Sequence, residues 1–194
     1  ERELRKMADD NFCVGLLRNS TVYGYSPKFR NDLVVNNLVT TALALGEIRI
    51  MSDGTPWRPL IDVRDLSSVF MYFLKAQSAI INAEVFNIGF KENNFQVKDI
   101  VDEIKKALPN SVIKYTGEHG KDTRSYKVDF KKFNRLFPQI KQKWQLSKSV
   151  KNLIEELNKI GYGKKDFESG IYTRLTIIKQ LIDAKTINKN LFWV

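Results

Sequence analysis

The chain alternates short apolar runs with segments in which apolar residues recur at helical spacing. Residues 12–17 form a nearly continuous apolar run, which is typical of a strand buried in a parallel sheet. Further strands are predicted at residues 47–51, 60–63, 84–89 and 111–116. Helices are predicted at residues 1–10, 32–45, 66–76, 95–108, 128–137, 147–160 and 167–184. This alternation predicts an α/β fold with a partly parallel sheet.

Two residues are predicted to bound helices. Gly46 follows the helical pattern of residues 32–45, and glycine readily adopts the left-handed conformation that ends many helices. Asp65 precedes the apolar pattern of residues 66–76, and a carboxylate there can accept the first free N–H groups of the helix. We therefore expect Gly46 to be a C-cap and Asp65 to be an N-cap.

The stretch of residues 53–65 combines a Gly-Pro turn, an arginine between two prolines and a short apolar strand. Pro59 restricts Arg58 to extended geometry, so the guanidinium projects from a stiff backbone. An arginine presented in this way is suited to holding a phosphate. A surface arginine in a loop is the alternative, and the residues alone leave both interpretations open.

The chain has 194 residues, of which 43% are hydrophobic, enough for one good core or two small ones. It has no run of about 18 apolar residues and its first residues are charged, so we expect neither a transmembrane span nor a signal peptide. Cys13 is the single cysteine, which excludes an internal disulfide. We expect it to be a buried structural thiol in a protein of the reducing cytoplasm.

The formal net charge of +10 indicates anionic partners. Nucleic acid and a nucleotide diphosphate both fit this charge. The lysines are spread along the second half of the chain instead of being grouped with aromatic residues, and no zinc-finger, RRM or KH signature is present. Nucleic acid is therefore the less favoured partner.

Two polar loops are candidate sites by position. Residues 18–24 leave the C-terminal end of the first predicted strand, where open α/β sheets bind ligands. Residues 117–123 contain His119, the only histidine. We expect His119 to be a solvated loop residue and not an acid–base catalyst.

Five segments, in order along nearly the whole chain, resemble motifs of one enzyme family. They are LRNSTVYG (17–24), DLVVNN (32–37), GTPWR with LIDVRD (54–65), FNIG (86–89), and Asp122 with RSYKVD (124–129). On these segments the chain resembles the C-terminal half of the NAD-dependent epimerase/dehydratase family. Its members are extended short-chain dehydrogenases/reductases that act on nucleotide sugars.

The resemblance implies an α/β fold that is the C-terminal portion of a Rossmann-type fold, with a small α/β substrate-binding subdomain. Residues 1–46 would form the end of the Rossmann-like domain, with a loop and a helix leading into the substrate domain. Residues 47–194 would form mainly the substrate-binding subdomain, with residues 60–90 returning to the Rossmann sheet. The N-terminal dinucleotide-binding strands would be absent from the chain.

The resemblance also assigns roles to individual residues. Thr21, Val22 and Tyr23 would flank the nicotinamide of the cofactor, with ordinary loop packing as the alternative. Arg58 would grip the diphosphate of the substrate. The other substrate-binding residues that it implies are Leu33, Asn36, Asn87 and Arg124. It implies no metal site.

Some of these assignments keep an alternative. Asn36 could be a solvent-exposed amide, and Asn87 could cap the end of its strand. Many relatives carry His or Tyr at the position of Asp62. The usual second phosphate-binding arginine has no clear match here, and Lys121 or Arg124 would substitute for it.

The chain departs from the family in two motifs that carry the chemistry. It has no G-x-G-x-x-G dinucleotide fingerprint, and none of its seven tyrosines is followed by a lysine four residues later. In the family, that Tyr-x-x-x-Lys pair lies on the helix that residues 1–10 would end. We therefore expect the chain to begin just after the catalytic pair, to contain no catalytic residue and to be inactive alone.

The function implied is recognition of a nucleotide-diphosphate sugar within a cytoplasmic epimerase or dehydratase that uses NAD or NADP. We expect the complete enzyme to be a homodimer and to have no membrane partner. The alternative is a non-catalytic basic binding module, either a degenerate sugar-nucleotide binder or a nucleic-acid binder.

Overall fold

The computed structural model describes residues 1–116 and 124–194. Its helices are α1 (Arg2–Met7), α2 (Val34–Leu45), α3 (Val63–Phe73), α4 (Ser78–Ile81), α5 (Val97–Ala107), α6 (Lys131–Leu136), α7 (Leu146–Lys159), α8 (Lys164–Ser169) and α9 (Arg174–Asp183). Its strands are β1 (Gly15–Asn19), β2 (Thr21–Tyr23), β3 (Glu47–Ile50), β4 (Trp57–Asp62), β5 (Glu84–Ile88), β6 (Asn94–Gln96) and β7 (Val112–Tyr115). The predicted α/β class is confirmed.

The strands of the described residues pair in three small sheets, each of which contains a parallel pair. β1 pairs with β5, β2 with β4, and β3 with β7, all in parallel. β6 is antiparallel to β4, which therefore lies between β2 and β6. The prediction of partly parallel pairing is confirmed, although the strands are divided among separate sheets.

One extended segment, residues 15–23, connects two of these sheets. Its first part is β1, which lies beside β5. At Ser20 both the backbone N–H and the hydroxyl donate to the carbonyl of Ile88, at 3.1 and 2.7 Å. Beyond this point the chain, as β2, pairs with β4 instead. The prediction of a loop at residues 18–24 is therefore wrong, because most of these residues belong to β1 or β2.

The first strand begins later than the apolar pattern predicted. Pairing with β5 starts at Gly15. Before it, the Asp9 carboxylate accepts the N–H groups of Asn11 and Phe12, at 2.8 and 2.7 Å, and holds them in a turn. Phe12 is 46% exposed and Cys13 is exposed as well. The prediction of a buried thiol is therefore wrong, because this part of the apolar run lies outside the sheet.

Two apolar cores lie on opposite faces of the β2–β4 pair. The first is built mainly from α2, β3, α5 and α7, and the second from α3, β5 and α6. Tyr23 and Leu60 belong to the first core, whereas Val22 and Ile61 contact or belong to the second. Successive strand residues point to opposite faces, so this short pair serves both cores.

The prediction that Asp65 is the N-cap of α3 is wrong. The helix begins at Val63, and its N-cap is Asp62, whose carboxylate accepts the N–H of Arg64 at 2.9 Å. Asp65 is buried instead, and it accepts the backbone N–H groups of Lys143 and Trp144 at 3.1 and 3.0 Å. Burial raises the pKa of the Asp65 carboxyl above its ordinary value. Asp65 thus holds the chain before α7 against α3.

Three helix boundaries can be compared with the predicted ones. Gly46 ends α2 with φ +68°, as predicted. Gly170 has φ +66° and divides the predicted helix 167–184 into α8 and α9. The predicted helix 128–137 starts only at Lys131, because Val128 is held by hydrogen bonds to Asn94 and Asn87 donates to the carbonyl of Asp129.

Within residues 1–116 and 124–194, no helix is both long and apolar enough to cross a membrane. The same residues contain no group of three or more His, Cys, Asp or Glu side chains that could hold a metal ion.

Tyr162 provides a test of the first core through its response to pH. Its side chain is buried, and its hydroxyl has no hydrogen-bond partner among the described residues. Burial raises the pKa of Tyr162 to about 12, whereas the pKa of an unfolded tyrosine is about 10. The folded protein therefore holds this proton more tightly, and stability is lost as the pH rises from about 10 towards about 12.

We expect Tyr162→Phe to leave the free energy of unfolding at pH 7 nearly unchanged and to reduce its loss above about pH 10. Urea unfolding at both pH values measures this. Tyr126→Phe is the control, because Tyr126 is 46% exposed. An alkaline loss of the same size in Tyr162→Phe and wild type would contradict the assignment.

Candidate functional site

An irregular segment that precedes α6, residues 124–130, lies against three strands that belong to two of the sheets. We call it the bridging segment. Its beginning contacts β4, its middle contacts β6 and its end contacts β5. It therefore brings together residues that the sequence motifs placed far apart.

The middle of the bridging segment is held by the side-chain amide of Asn94 on β6. Its Nδ2 donates to the carbonyl of Val128 at 3.0 Å, and its Oδ1 accepts the N–H of Val128 at 2.9 Å. One side chain thus reproduces the hydrogen-bond pair that a neighbouring strand would supply. Next along the segment, Asn87 Nδ2 donates to the carbonyl of Asp129 at 3.2 Å.

Arg58 lies half-buried on β4, at the beginning of the bridging segment. Its Nη1 donates to the carbonyl of Trp57 at 2.9 Å and also to the carbonyl of Arg124. The side chain of Arg58 is therefore in contact with the backbone of Arg124, and the two residues were predicted from separate motifs. The alternative of a surface arginine in a loop is wrong, because Arg58 belongs to a strand and is partly covered.

Trp57 fixes the neighbouring residues of the bridging segment. Its N–H donates to the hydroxyl of Ser125 at 3.1 Å, and its carbonyl accepts the N–H of Tyr126 at 3.4 Å. The Lys127 ammonium lies 3.7 Å from the centroid of the Trp57 ring, a distance at which a cation is attracted by the face of an indole. Lys127 therefore joins Arg58 as a second cation at this end of β4.

The end of the bridging segment depends on a glycine. A Cβ at Gly89 would lie 2.5 Å from the Phe130 ring and 2.8 Å from the Ser20 hydroxyl oxygen. Phe130 is 3% exposed. Only a residue without a side chain lets Phe130 approach the end of β5 so closely. This explains the glycine of the FNIG motif in physical terms.

The predicted cofactor residues lie on β2 and differ in exposure. Tyr23 is 3% exposed and belongs to the first core, and burial raises the pKa of its hydroxyl. Val22 packs against the second core. Thr21 is half-buried. Of the three side chains, that of Tyr23 packs in the core and is not open to a cofactor.

Asn36 and Leu33 lie at the start of α2. Asn36 is 1% exposed, so the alternative of a solvent-exposed amide is wrong. Its Oδ1 accepts the N–H of Gly24 and its Nδ2 donates to the carbonyl of Arg30, both at 2.9 Å. Leu33 is the half-buried N-cap of the helix. Asn36 therefore fixes the loop that follows β2.

A charged cluster beside α3 was not identified from the sequence. The Arg64 guanidinium donates to the Asp62 carboxylate at 2.8 and 2.7 Å and to the Asn152 side chain at 2.6 Å. Its central carbon lies 3.2 Å from the centroid of the Trp144 ring. The cluster joins β4 to α7. Trp144 and Asn152 lie 80 and 88 residues after Arg64 in the chain, so no local motif indicates the cluster.

The bridging segment also borders a cationic depression of 940 Å³. The residues that line it are Lys91, Asn94, Lys127, Val128, Asp129, Phe130, Lys131, Lys132, Asn134 and Arg135. Lys132 is paired with Glu84 and Lys131 with Asp129. His119, Lys121 and Asp122 lie outside the described residues.

The sequence of residues 1–89 matches the family model described as "NAD dependent epimerase/dehydratase family". This match confirms the resemblance that the motifs indicated. Of the predicted site residues, only Arg124 lies beyond the matched region.

Several solved structures resemble the fold. MoeE5 in complex with UDP-glucuronic acid and NAD is 24% identical, with 81% of this chain and 52% of that chain covered and a TM-score of 0.66. UDP-glucuronic acid 4-epimerase from Bacillus cereus, in complex with UDP-glucuronic acid and NAD, is 23% identical over 77% of this chain and 46% of that chain, with a TM-score of 0.62. ADP-L-glycero-D-manno-heptose-6-epimerase from Helicobacter pylori is 18% identical over 81% and 47%, with a TM-score of 0.65.

These likenesses show that the chain has the fold of part of an epimerase or dehydratase. The chain spans about half the length of the solved structures that it matches. The Rossmann-like, partial fold predicted from the sequence is confirmed.

We expect Gly89→Ala to destabilise the protein, because the added methyl must displace the Phe130 ring and the Ser20 hydroxyl. Overpacking of this kind costs about 1–3 kcal/mol, which thermal or urea unfolding would measure. Gly163→Ala is the matched control, because its Cβ would meet nothing closer than 3.9 Å. Equal stability of the two variants would contradict the close approach of Phe130.

Proposed function

We propose that this chain supplies the nucleotide-sugar-binding part of an NAD-dependent epimerase or dehydratase. The observation that carries the proposal is the contact between Arg58 and Arg124. Both were assigned to substrate binding by separate motifs, and the fold brings them to the same end of β4.

The physical basis is recognition of a diphosphate by a cation with a fixed position. Arg58 extends from a strand, and two backbone carbonyls orient its Nη1. A guanidinium that is oriented beforehand loses less freedom when it binds a phosphate, and its planar donors match phosphate oxygens. Lys127, stacked on Trp57, adds positive charge beside it.

The other substrate residues would act from positions around this cation. Asn87 would contribute through its bond to the bridging segment, and Leu33 through its place at the start of α2. We propose that Asn36 is a positioning residue, because both ends of its amide hold the backbone of residues 24–30. It would shape the loop without touching the sugar.

The cofactor would be NAD or NADP, and this chain would form one wall of its site. Thr21 is half-buried on β2 and would lie beside the nicotinamide, whereas Tyr23 would support that wall from the core. When bound, the cofactor supplies hydride transfer to and from the sugar. The chain has no glycine fingerprint and no Tyr-x-x-x-Lys, so residues of the complete enzyme outside it would hold the pyrophosphate and move the proton.

Solved proteins of similar fold were crystallised with UDP-glucuronic acid, and we propose a UDP-sugar as the substrate class. The complete enzyme would be a cytoplasmic homodimer. Its reaction would be that of an isomerase or a lyase, according to whether the hydride returns to the same carbon or water is eliminated.

The test is the affinity of the protein for UDP-glucuronic acid, measured by calorimetry. We expect Arg58→Ala to weaken binding by about tenfold to a hundredfold, because a charge-assisted hydrogen bond contributes about 1.5–3 kcal/mol. Arg58→Lys should retain part of the affinity, since it keeps the charge but not the fork of donors.

Two controls separate loss of the cation from other effects. Arg49→Ala removes an arginine from β3 that is paired with Glu47, and it should bind as wild type does. Ser125→Ala removes a contact of the bridging segment with Trp57 and leaves Arg58 in place. Unchanged affinity in Arg58→Ala would contradict the proposal. Salt-sensitive binding of an oligonucleotide, with none of the sugar nucleotide, would favour the basic binding module instead.

A further inference from the structure

The last residues of the chain display an apolar surface. Residues 185–194, which we call the C-terminal hook, follow α9. Leu191 is 56% exposed, Phe192 68%, Trp193 76% and Val194 86%. Four consecutive large apolar residues are thus exposed, and apolar surface of this kind marks interaction sites.

The hook has a defined conformation. The N–H of Asn188 donates to the carbonyl of Phe192 at 2.8 Å, and that of Val194 donates to the carbonyl of Thr186 at 3.1 Å. The Asn188 side-chain oxygen accepts the N–H groups of Asn190 and Phe192 at 2.9 and 3.1 Å. A hydrogen-bonded turn therefore presents the apolar residues.

One buried residue anchors the hook to the rest of the molecule. Ile187 is 6% exposed and forms a bridge with Trp193 in an antiparallel arrangement. Leu191 and Lys185 adopt left-handed conformations, with φ +64° and +56°. Such conformations are unfavourable for residues with a side chain, and strain of this kind is often kept where a segment has a function.

Cations outnumber carboxylates in the part of the sequence that ends in the apolar tip. Residues 171–194 contain Arg174, Lys179, Lys185 and Lys189, against a single carboxylate side chain, Asp183. All four cations are exposed. The whole chain has a net charge of +10. An anionic surface is therefore the complementary partner of this end of the molecule.

We propose that the C-terminal hook binds the surface of an anionic lipid bilayer. Phe192 and Trp193 would enter the interfacial region, where aromatic rings are favoured. Lys185 and Lys189 would lie among the acidic headgroups. This would be peripheral binding, which needs no membrane-spanning segment.

Charge disfavours a second copy of the chain as the occupant. Two hooks would place their lysines together, and each copy carries ten net positive charges. Like charges that are brought together oppose association. The lipid surface offers both an apolar layer and the opposite charge.

Vesicle flotation tests the proposal, because floating material is separated from aggregated protein. We expect the protein to float with vesicles of phosphatidylglycerol and phosphatidylcholine and not with vesicles of phosphatidylcholine alone. Phe192→Ser/Trp193→Ser should lower the bound fraction at least tenfold. The matched control is Phe70→Ser/Leu74→Ser, which removes two exposed apolar residues, one in α3 and one at its C-cap, and should float as wild type does.

A second pair of variants tests the charge. Lys185→Glu/Lys189→Glu should reduce flotation strongly, whereas Lys91→Glu/Lys131→Glu changes the net charge equally in the cationic depression and should have little effect. Equal flotation of hook and control variants would overturn the proposal. So would the absence of binding to anionic vesicles, or a dimer in sedimentation equilibrium that is lost in Phe192→Ser/Trp193→Ser.

Discussion

The paired hydrogen bonds between the Asn94 amide and the backbone of Val128 are the interaction on which the candidate site depends. The bridging segment lies beside strands without belonging to a sheet, and its polar backbone groups need partners when they are covered. Asn94 supplies two of them from a single side chain. On one side of this contact lies Arg58 with Arg124, and on the other lies Asn87 with Asp129. The bridging segment thereby gathers three of the predicted substrate residues, Arg58, Asn87 and Arg124, whereas Leu33 and Asn36 lie at the start of α2.

The same principle operates in the fold as a whole. Residues 15–23 leave one sheet for another, and Ser20 satisfies the Ile88 carbonyl twice at the point of change. The short β2–β4 pair then separates two apolar cores. Tyr23 belongs to the first core, while Thr21, which lies two residues earlier on the same face of β2, stays half-buried at the start of the strand. Position along a strand thus limits which residues can meet a ligand.

The sequence predicted the features that follow from local chemistry. Pro59 and the surrounding motif indicated an extended Arg58, and Gly46 indicated the end of α2. Prediction from the sequence failed where the position of a residue depends on partners that are distant in the chain. Cys13 belongs to an apolar run, yet it lies before the point at which pairing with β5 begins. Asp65 has the local features of a helix cap, but it binds the backbone of Lys143 and Trp144, which no local pattern shows.

Hydrogen exchange of the bridging segment tests the central claim most directly. In the ligand-free protein the amides of Tyr126 and Val128, which donate to Trp57 and Asn94, should exchange more slowly than those of an unstructured peptide. Addition of UDP-glucuronic acid should slow their exchange further, because a diphosphate held by Arg58 would stabilise the segment beside it. Exchange at the rate of an unstructured peptide, unchanged by the sugar nucleotide, would contradict the account.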